Sequence, residues 1–258
     1  MGLSNEKKQH IKEILKHSLR QKFENYKPET KHMPFHYRLL GKDRMALFSF
    51  IQSINTTFGT SIYEPVAIEL ATGRYKRAAS QVKPYAWISS DAQTTIQEIM
   101  DELLSAEREP DRNAELKRLR AVCQTGAMKK IKPRLIDIWL EDNEKRLFLI
   151  DIKTVKPNIG SFIEYKRKML EWVARELASD SSLDVYAIIG IPFNPYEPKP
   201  YRRWTIRGML DIKYELLVAE ELWNFIGGEG AYSDILDCFE EVGIELRPEI
   251  DEYFKTFK

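Results

Sequence analysis

The segment PRLIDIWLEDNEKRLFLIDIKT, residues 133–154, decides the fold. It contains two apolar runs, 133–140 and 146–154, which are separated only by the polar residues Glu141–Lys145. A short polar turn between two such runs predicts a β-hairpin, whose strands lie side by side. The hairpin therefore brings Asp137 next to Asp151, although fourteen positions separate them along the chain.

Charged side chains interrupt both apolar runs. Successive side chains of a strand point to opposite faces, so Asp151 and Lys153 are expected on one face and Ile150 and Ile152 on the other. Two carboxylates and an ammonium group then converge on one patch, and such oxygen ligands suit Mg²⁺. The alternative is a solvated hairpin with an ion pair between its strands. Carboxylates in runs this apolar are costly, however, unless they are paired or metal-bound.

The sequence around the hairpin predicts an α/β domain. A near-continuous apolar run over 183–193 is typical of a buried strand. Helical spacing and helix-start signals mark the remaining segments: 5–25, 44–56, the stretch opening at Glu64–Pro65, 92–105, the charged and exposed stretch 108–120, the stretch opening with the capping box Ser161–Glu164, and most of 216–257.

Composition limits the classes of function. A chain of 258 residues with 43% hydrophobic residues can build a sizeable core, most simply as one domain over 1–258. A net charge of +1 gives no overall basic field, although a local basic cleft stays possible. Cys123 and Cys238 lack metal-binding spacing, and neither a signal peptide nor a membrane span is apparent. These features predict a cytoplasmic protein.

The order strand, strand with Asp-x-Lys, helix, strand, preceded by helices, resembles the core of the PD-(D/E)xK nuclease superfamily over 59–193. The two acidic positions of that motif map onto Asp137 and Asp151, and its lysine maps onto Lys153. The chain departs from the motif in its proline, which lies four positions before the first aspartate, at Pro133. The resemblance implies a mixed central sheet flanked by helices, with additional N- and C-terminal helices.

Within this organisation, 1–58 is the helical N-terminal part, 59–193 the nuclease core, and 194–258 a recognition loop with C-terminal helices. The resemblance implies a metal held by Asp137, Asp151 and the backbone carbonyl of Ile152. It places Lys153 beside the attacking water.

The resemblance also implies a supporting glutamate near the metal. Glu64 falls in a Gly-x-x-x-x-Glu-Pro stretch that resembles the glutamate many of these nucleases place near the metal. Its alternative role is to complement the positive end of a helix dipole. Glu69 competes for the same place, and Glu64 is the preferred candidate.

Two further stretches, 55–67 and 191–198, look like type II restriction endonucleases, and are most similar to a small prokaryotic subfamily that cuts GGNCC. This implies a Mg²⁺-dependent enzyme that cuts double-stranded DNA and leaves 5′-phosphate ends. A near-palindromic site favours a homodimer, for which Trp223 and Phe225 are available unless the core uses them. A methyltransferase is expected in the same cell, without a stable complex.

Two rival functions stay open at this point. A repair or junction nuclease on the same core would keep the acidic cluster but ignore base sequence. A catalytically inert DNA-binding protein with the nuclease fold is the other rival, against which the intact Asp137, Asp151 and Lys153 argue.

Basic residues in two places are candidates for DNA contact. Arginine pairs with O6 and N7 of guanine, so the loop 192–207 is the candidate reader of bases; its alternative is an ordinary surface loop. The stretch before the hairpin provides candidate phosphate contacts or a solvated charge run. The candidates are Lys199, Tyr201, Arg202, Arg203 and Arg207 in the loop, and Lys130, Lys132 and Arg134 before the hairpin.

Two other charged motifs receive structural interpretations. A second Asp-x-Lys at Asp211–Lys213, with Asp184 as its upstream acid, lacks the strand–helix–strand setting, so the hairpin copy is preferred. Lys166, Arg167 and Lys168 are assigned to the solvent face of the helix that follows the hairpin.

Overall fold

A computed structural model describes residues 2–28, 32–153, 159–201, 206 and 208–256, with only the backbone of residue 159. Two compact units make up the chain, Met1–Leu70 with Gly227–Lys258, and Ala71–Ile226. The single domain expected from the sequence stays a prediction.

Helices and strands alternate in the order that the sequence suggests around the hairpin. The helices are α1 Asn5–Asn25, α2 Pro34–Leu40, α3 Lys42–Phe58, α4 Glu64–Ala71 after a π-helical turn, α5 Ser90–Leu104, α6 Arg112–Val122, α7 Ile159–Ser179, α8 Ile212–Glu215, α9 Glu220–Gly227, α10 Ala231–Glu245 and α11 Arg247–Lys255. The strands are β1 Arg77–Val82, β2 Trp87–Ser89, β3 Met128–Lys130, β4 Ile136–Glu141, β5 Arg146–Ile152, β6 Asp184–Ile191 and β7 Leu216–Val218.

Local signals explain where several helices begin. The Ser4 hydroxyl accepts a hydrogen bond from the Lys7 N–H at 3.3 Å, which caps α1. Ser89 caps α5 in the same way through the Ala92 N–H. The helices predicted over 5–25, 44–56 and 92–105 are therefore confirmed, with ends shifted by two residues at most.

The five-stranded sheet has the order β1-β4-β5-β6-β7. β4 runs antiparallel to both β1 and β5, whereas β6 runs parallel to β5 and β7, so the sheet is mixed as expected. Ile138 pairs with Ile150 and Leu140 with Phe148 in the hairpin. One step further along, this register sets Asp137 opposite Asp151. The predicted fold class is confirmed.

Four strands and one buried helix face differ from the sequence predictions. β1 lies at the sheet edge with a sequence, RAASQV, that lacks the apolar run of a central strand. β2 and β3 form a separate two-stranded sheet, and β7 begins a segment that was expected to be helical. The helix expected to be exposed over 108–120 is α6, and its Arg112, Glu115, Leu116 and Leu119 are buried.

Helix α7 packs against β6 and β2. It begins two residues before Ser161, so the predicted capping box falls inside the first turn. Phe162, Met169, Trp172 and Leu177 are buried on its inner side. This packing brings the side chains of α7 over the ends of β4 and β5.

The structure also bears on the aromatic residues of α9 and on the question of a membrane span. Trp223 is 2% exposed and donates its ring N–H to the Pro192 carbonyl, so the core uses its side chain. Phe225 is half-buried and packs against Tyr75 and Phe148. In the part of the chain that the structure describes, no helix combines the length and apolar character needed to cross a membrane.

Candidate active site

The two strands of the hairpin bring Asp137, Asp151 and Lys153 together. The Lys153 Nζ lies 2.8 Å from Asp151 Oδ1 and 4.0 Å from Asp137 Oδ2. Asp137 Oδ2 also accepts a hydrogen bond from the backbone N–H of Ile152 at 2.9 Å. The Lys153 N–H bonds to the Gly190 carbonyl of β6, which fixes the end of β5 against the next strand.

A fourth charged residue, Lys168 of α7, joins this cluster. Its Nζ lies 2.7 Å from Asp151 Oδ1, the same oxygen that Lys153 contacts. The sequence-based assignment of Lys168 to the solvent face is therefore wrong. A signal for it existed, because Tyr165, Lys168 and Trp172 recur at the three- and four-residue spacing of one helix face.

Lys166 also contradicts its assignment to the solvent face. Its side chain is fully buried, and its Nζ contacts Glu115 at 2.5 Å and Glu215 at 2.8 Å. Arg167 is the member of the basic run that stays at the surface, where it donates to the Gln97 side chain. The Lys166 contacts join α6, α7 and α8 through one buried ion cluster.

Aromatic rings support both ammonium groups of the acidic cluster. The Lys153 Nζ lies 5.4 Å from the centre of the Tyr165 ring, and the Lys168 Nζ lies 4.5 Å from that of Trp172. Trp172 is itself held by a hydrogen bond from its ring N–H to the Arg134 carbonyl at 2.8 Å. Cations over such ring faces are attracted by the ring quadrupole.

The two carboxyl groups differ in their electrostatics. Burial alone would raise the pKa of Asp151, but Lys153 and Lys168 outweigh burial and lower this pKa below its usual value. Burial, with the neighbouring Asp151 charge, raises the pKa of Asp137 to about 7. Burial alone would lower the pKa of Lys153, whereas the two carboxylates raise it, so its side chain is an ammonium group at neutral pH.

The donor atoms of the cluster fit a hard divalent cation. Asp151 is fully buried, and its Oδ2 finds no hydrogen-bond donor among the described residues. The Ile152 carbonyl also faces the cluster, since its oxygen lies 3.3 Å from the Lys153 Nζ. The described residues hold no group of three or more His, Cys, Asp or Glu side chains suited to a metal. Mg²⁺ needs only one or two carboxylates, because it keeps several waters.

Glu64 and Glu69 lie on α4. Glu64 is 3% exposed and directly follows the π-helical turn Gly59–Tyr63, with its N–H already bonded to the Gly59 carbonyl. The backbone is therefore helical before Glu64, and the expected role at the positive end of a helix dipole does not apply there. Glu69 pairs with His10 at 3.1 Å. Both belong to the compact unit Met1–Leu70 with Gly227–Lys258, whereas the hairpin belongs to the other unit. A contribution of Glu64 to the metal site stays a prediction.

The candidate DNA contacts divide into described and undescribed residues. Lys130, Lys132 and Arg134 are exposed just before β4, as a phosphate-contacting stretch requires. Lys199 is exposed and Tyr201 is half-buried, with the Tyr196 and Tyr201 rings 5.7 Å apart. The remaining candidates, Arg202, Arg203 and Arg207, lie outside the described residues.

The second Asp-x-Lys has a structural use. Asp211 caps α8 by accepting the Lys213 N–H, and it also accepts the Arg112 N–H. Its upstream acid, Asp184, pairs with the Arg112 guanidinium at 2.7 Å. Neither carboxylate joins a cluster like that of the hairpin.

Comparison with known proteins identifies the family of the chain. A sequence profile of the HinfI type II restriction endonucleases matches residues 3–243. The chain belongs to the HinfI family of type II restriction endonucleases. Such enzymes cut DNA and generally use divalent metal ions. The resemblance to type II restriction endonucleases inferred from the sequence is thereby confirmed, whereas the GGNCC specificity stays a prediction.

Individual relatives carry the same description. The type II restriction enzyme MjaII of Methanocaldococcus jannaschii is 31% identical over 222 residues, which cover 81% of this chain and 58% of that protein. Type II restriction enzymes HgiEI and HgiCII of Herpetosiphon aurantiacus are 24% and 23% identical, covering 85% and 84% of this chain and 80% of each relative. The chain thus spans little more than half the length of MjaII, and most of the length of the other two.

Proposed function

We propose that this protein is a Mg²⁺-dependent type II deoxyribonuclease that hydrolyses phosphodiester bonds in double-stranded DNA at a specific site. The observation that carries the proposal is the convergence of Asp137, Asp151 and Lys153 at the end of the hairpin, in a chain of the HinfI family.

Each residue of the cluster has a role in this chemistry. Asp137, Asp151 and the Ile152 carbonyl would hold the metal. When bound there, Mg²⁺ stabilises developing negative charge and lowers the pKa of a coordinated water. The Lys153 side chain is 24% exposed, so its ammonium group can reach outward to orient the attacking water and the scissile phosphate. Its positive charge favours donation to a phosphate oxygen over proton abstraction.

The proposal extends to the DNA sequence that the enzyme recognises. The loop 192–207 follows β6, and its arginines suit guanine. The stretches 55–67 and 191–198 resemble the subfamily that cuts GGNCC, so we assign a GGNCC-type site and 5′-phosphate ends. A methyltransferase that modifies the same site is the expected companion enzyme, acting without a stable complex.

A homodimer is the assembly that a near-palindromic site favours, because a two-fold protein matches a two-fold site. The face for a second copy lies on the adjoining helices α2 and α3, which expose six large apolar residues by nearly half or more: Phe35 84%, Leu39 83%, Leu40 46%, Leu47 45%, Phe48 52% and Ile51 48%. Stable interfaces bury about 800 Å² per partner around an apolar centre. These six side chains can supply such a centre.

Cleavage of unmethylated plasmid tests the function. The plasmid should carry known GGNCC sites and be incubated with the protein with and without Mg²⁺, and the fragment ends should be sequenced. Discrete fragments ending at GGNCC with 5′-phosphates are expected only with Mg²⁺. Discrete fragments at other sequences would remove the GGNCC assignment, and a smear would favour a repair or junction nuclease. Intact plasmid would favour an inert DNA-binding protein.

A further inference from the structure

Two ammonium groups share a single oxygen of Asp151. Lys153 lies 2.8 Å and Lys168 lies 2.7 Å from Asp151 Oδ1, while Oδ2 of the same carboxylate has no donor among the described residues. One lysine is accounted for by the proposed chemistry. The second comes from a different element, α7, and has no part in the roles assigned above.

The surroundings of Lys168 fix its position. Its side chain is 17% exposed and lies over the Trp172 ring, which is itself fully buried and bonded to the Arg134 carbonyl just before β4. Trp172 therefore fixes the Lys168 ammonium relative to α7 and to the residues that precede β4.

The surroundings of Lys153 are different. It lies at the end of β5, is more exposed at 24%, and approaches three acceptors: the Asp151 carboxylate, the Ile152 carbonyl at 3.3 Å and Asp137 at 4.0 Å. A side chain with three acceptors within reach can turn from one to another. Lys168 has Asp151 as its ionic partner among the described residues.

Asp151 needs a permanent cationic partner because it is fully buried. A buried carboxylate that loses its partner is strongly destabilised. If Lys153 turns to a phosphate or a water, Oδ1 keeps a partner only through Lys168. Oδ2, which has no donor among the described residues, then stays in place as a ligand for the metal.

We infer that Lys168 is a positioning residue of the active site, which holds the Asp151 carboxylate for the metal and frees Lys153 to serve the reaction. The inference rests on the proposed function. Removal of a residue that bonds to a metal-ligating side chain and orients it lowers metal affinity or activity by about 10–100-fold.

The test compares variants that separate charge, geometry and fold. Lys168→Met removes the ammonium at similar length, Lys168→Arg keeps the charge, and Lys153→Met removes the other lysine. Arg167→Met is the matched control, since Arg167 lies on the same helix but donates to Gln97 at the surface. Mn²⁺ binding to the DNA-free protein is measured by electron paramagnetic resonance. Single-turnover DNA cleavage is measured at saturating Mg²⁺, and thermal unfolding checks the fold.

Lys168→Met is expected to weaken Mn²⁺ binding and to slow cleavage, each by about 10–100-fold. Lys168→Arg should recover most of both losses. Lys153→Met should lose cleavage but keep Mn²⁺ binding near the wild-type level, and Arg167→Met should match wild type in both. If Lys168→Met unfolds, Lys168→Gln carries the same expectation.

Unchanged or tighter Mn²⁺ binding in a folded Lys168→Met protein would overturn the inference, because a lysine that merely repels the cation gives that result. Wild-type protein that binds no Mn²⁺ would overturn it as well. Failure of the proposed function looks different: wild-type protein would leave DNA uncut, while the Mn²⁺ comparison would still decide the role of Lys168.

Discussion

Lys153 is the residue whose environment most clearly separates electrostatic catalysis from structural pairing. Its ammonium group contacts a fully buried carboxylate, yet its own side chain stays partly exposed. Lys153→Ala should therefore lower the single-turnover cleavage rate by about a hundredfold or more while the protein stays folded. Circular dichroism and cleavage kinetics of the same sample provide the measurement. A variant that cuts within a few-fold of wild type would reduce Lys153 to an ion-pair partner.

The arginines of the loop 192–207 carry the residue-scale prediction on specificity. A bidentate arginine–guanine pair contributes about 1–3 kcal/mol of discrimination, whereas a phosphate contact lowers affinity for all sequences alike. Arg202→Ala and Arg203→Ala should thus weaken binding to a GGNCC duplex far more than to a random duplex. Competition binding with both duplexes at one salt concentration measures the difference. Equal losses on the two duplexes would make this loop a backbone clamp.

At the scale of elements, the buried cluster of Lys166, Glu115 and Glu215 connects α6, α7 and α8. One ammonium group faces two carboxyl groups in this cluster. Burial raises the pKa of Glu115 to about 7 in spite of Lys166. Because this pKa is raised in the folded state, the stabilising contribution of Glu115 is complete below its unfolded pKa, 4.5, and is lost as pH rises through about 7.

Glu115→Gln should remove that pH dependence. The free energy of unfolding is measured by urea unfolding of variant and wild type at pH 5 and at pH 8. The difference, variant minus wild type, should be more positive at pH 8 than at pH 5. Glu98→Gln is the control, since this substitution removes the same charge from an exposed side chain of α5. A difference between variant and wild type that is the same at both pH values would contradict the assignment.

The elements also show what the sequence could and could not predict. The hairpin was predictable because its apolar runs and short polar turn fix both its strands and its register, and the register alone brings Asp137 to Asp151. β1 was missed because an edge strand needs no apolar run. Lys166 and Lys168 were misplaced because their burial depends on how α7 packs over the sheet, which a run of three basic residues does not reveal.

At the scale of the whole molecule, the apolar face of α2 and α3 carries the prediction on assembly. Phe35→Asp with Leu39→Asp should convert a dimer into a monomer, because two charges would be buried at the centre of the contact. Light scattering after gel filtration measures the mass. Ile244→Asp is the matched control, since Ile244 is 66% exposed and lies on a different helix, α10. A monomeric wild-type protein, or a dimer that persists in the double variant, would refute this interface.

The central claim is that the hairpin pair of carboxylates, and not the second Asp-x-Lys, forms the catalytic site. Single-turnover cleavage of an unmethylated plasmid with Mg²⁺ should be compared for wild type, Asp137→Asn, Asp151→Asn and Asp211→Asn, with DNA binding measured in EDTA. The hairpin variants should not cut, yet should bind DNA as well as wild type or better, because each loses a metal ligand and a charge that repels phosphate. Asp211→Asn should still cut. Near-normal cleavage by Asp151→Asn, or an inactive but folded Asp211→Asn, would contradict the account.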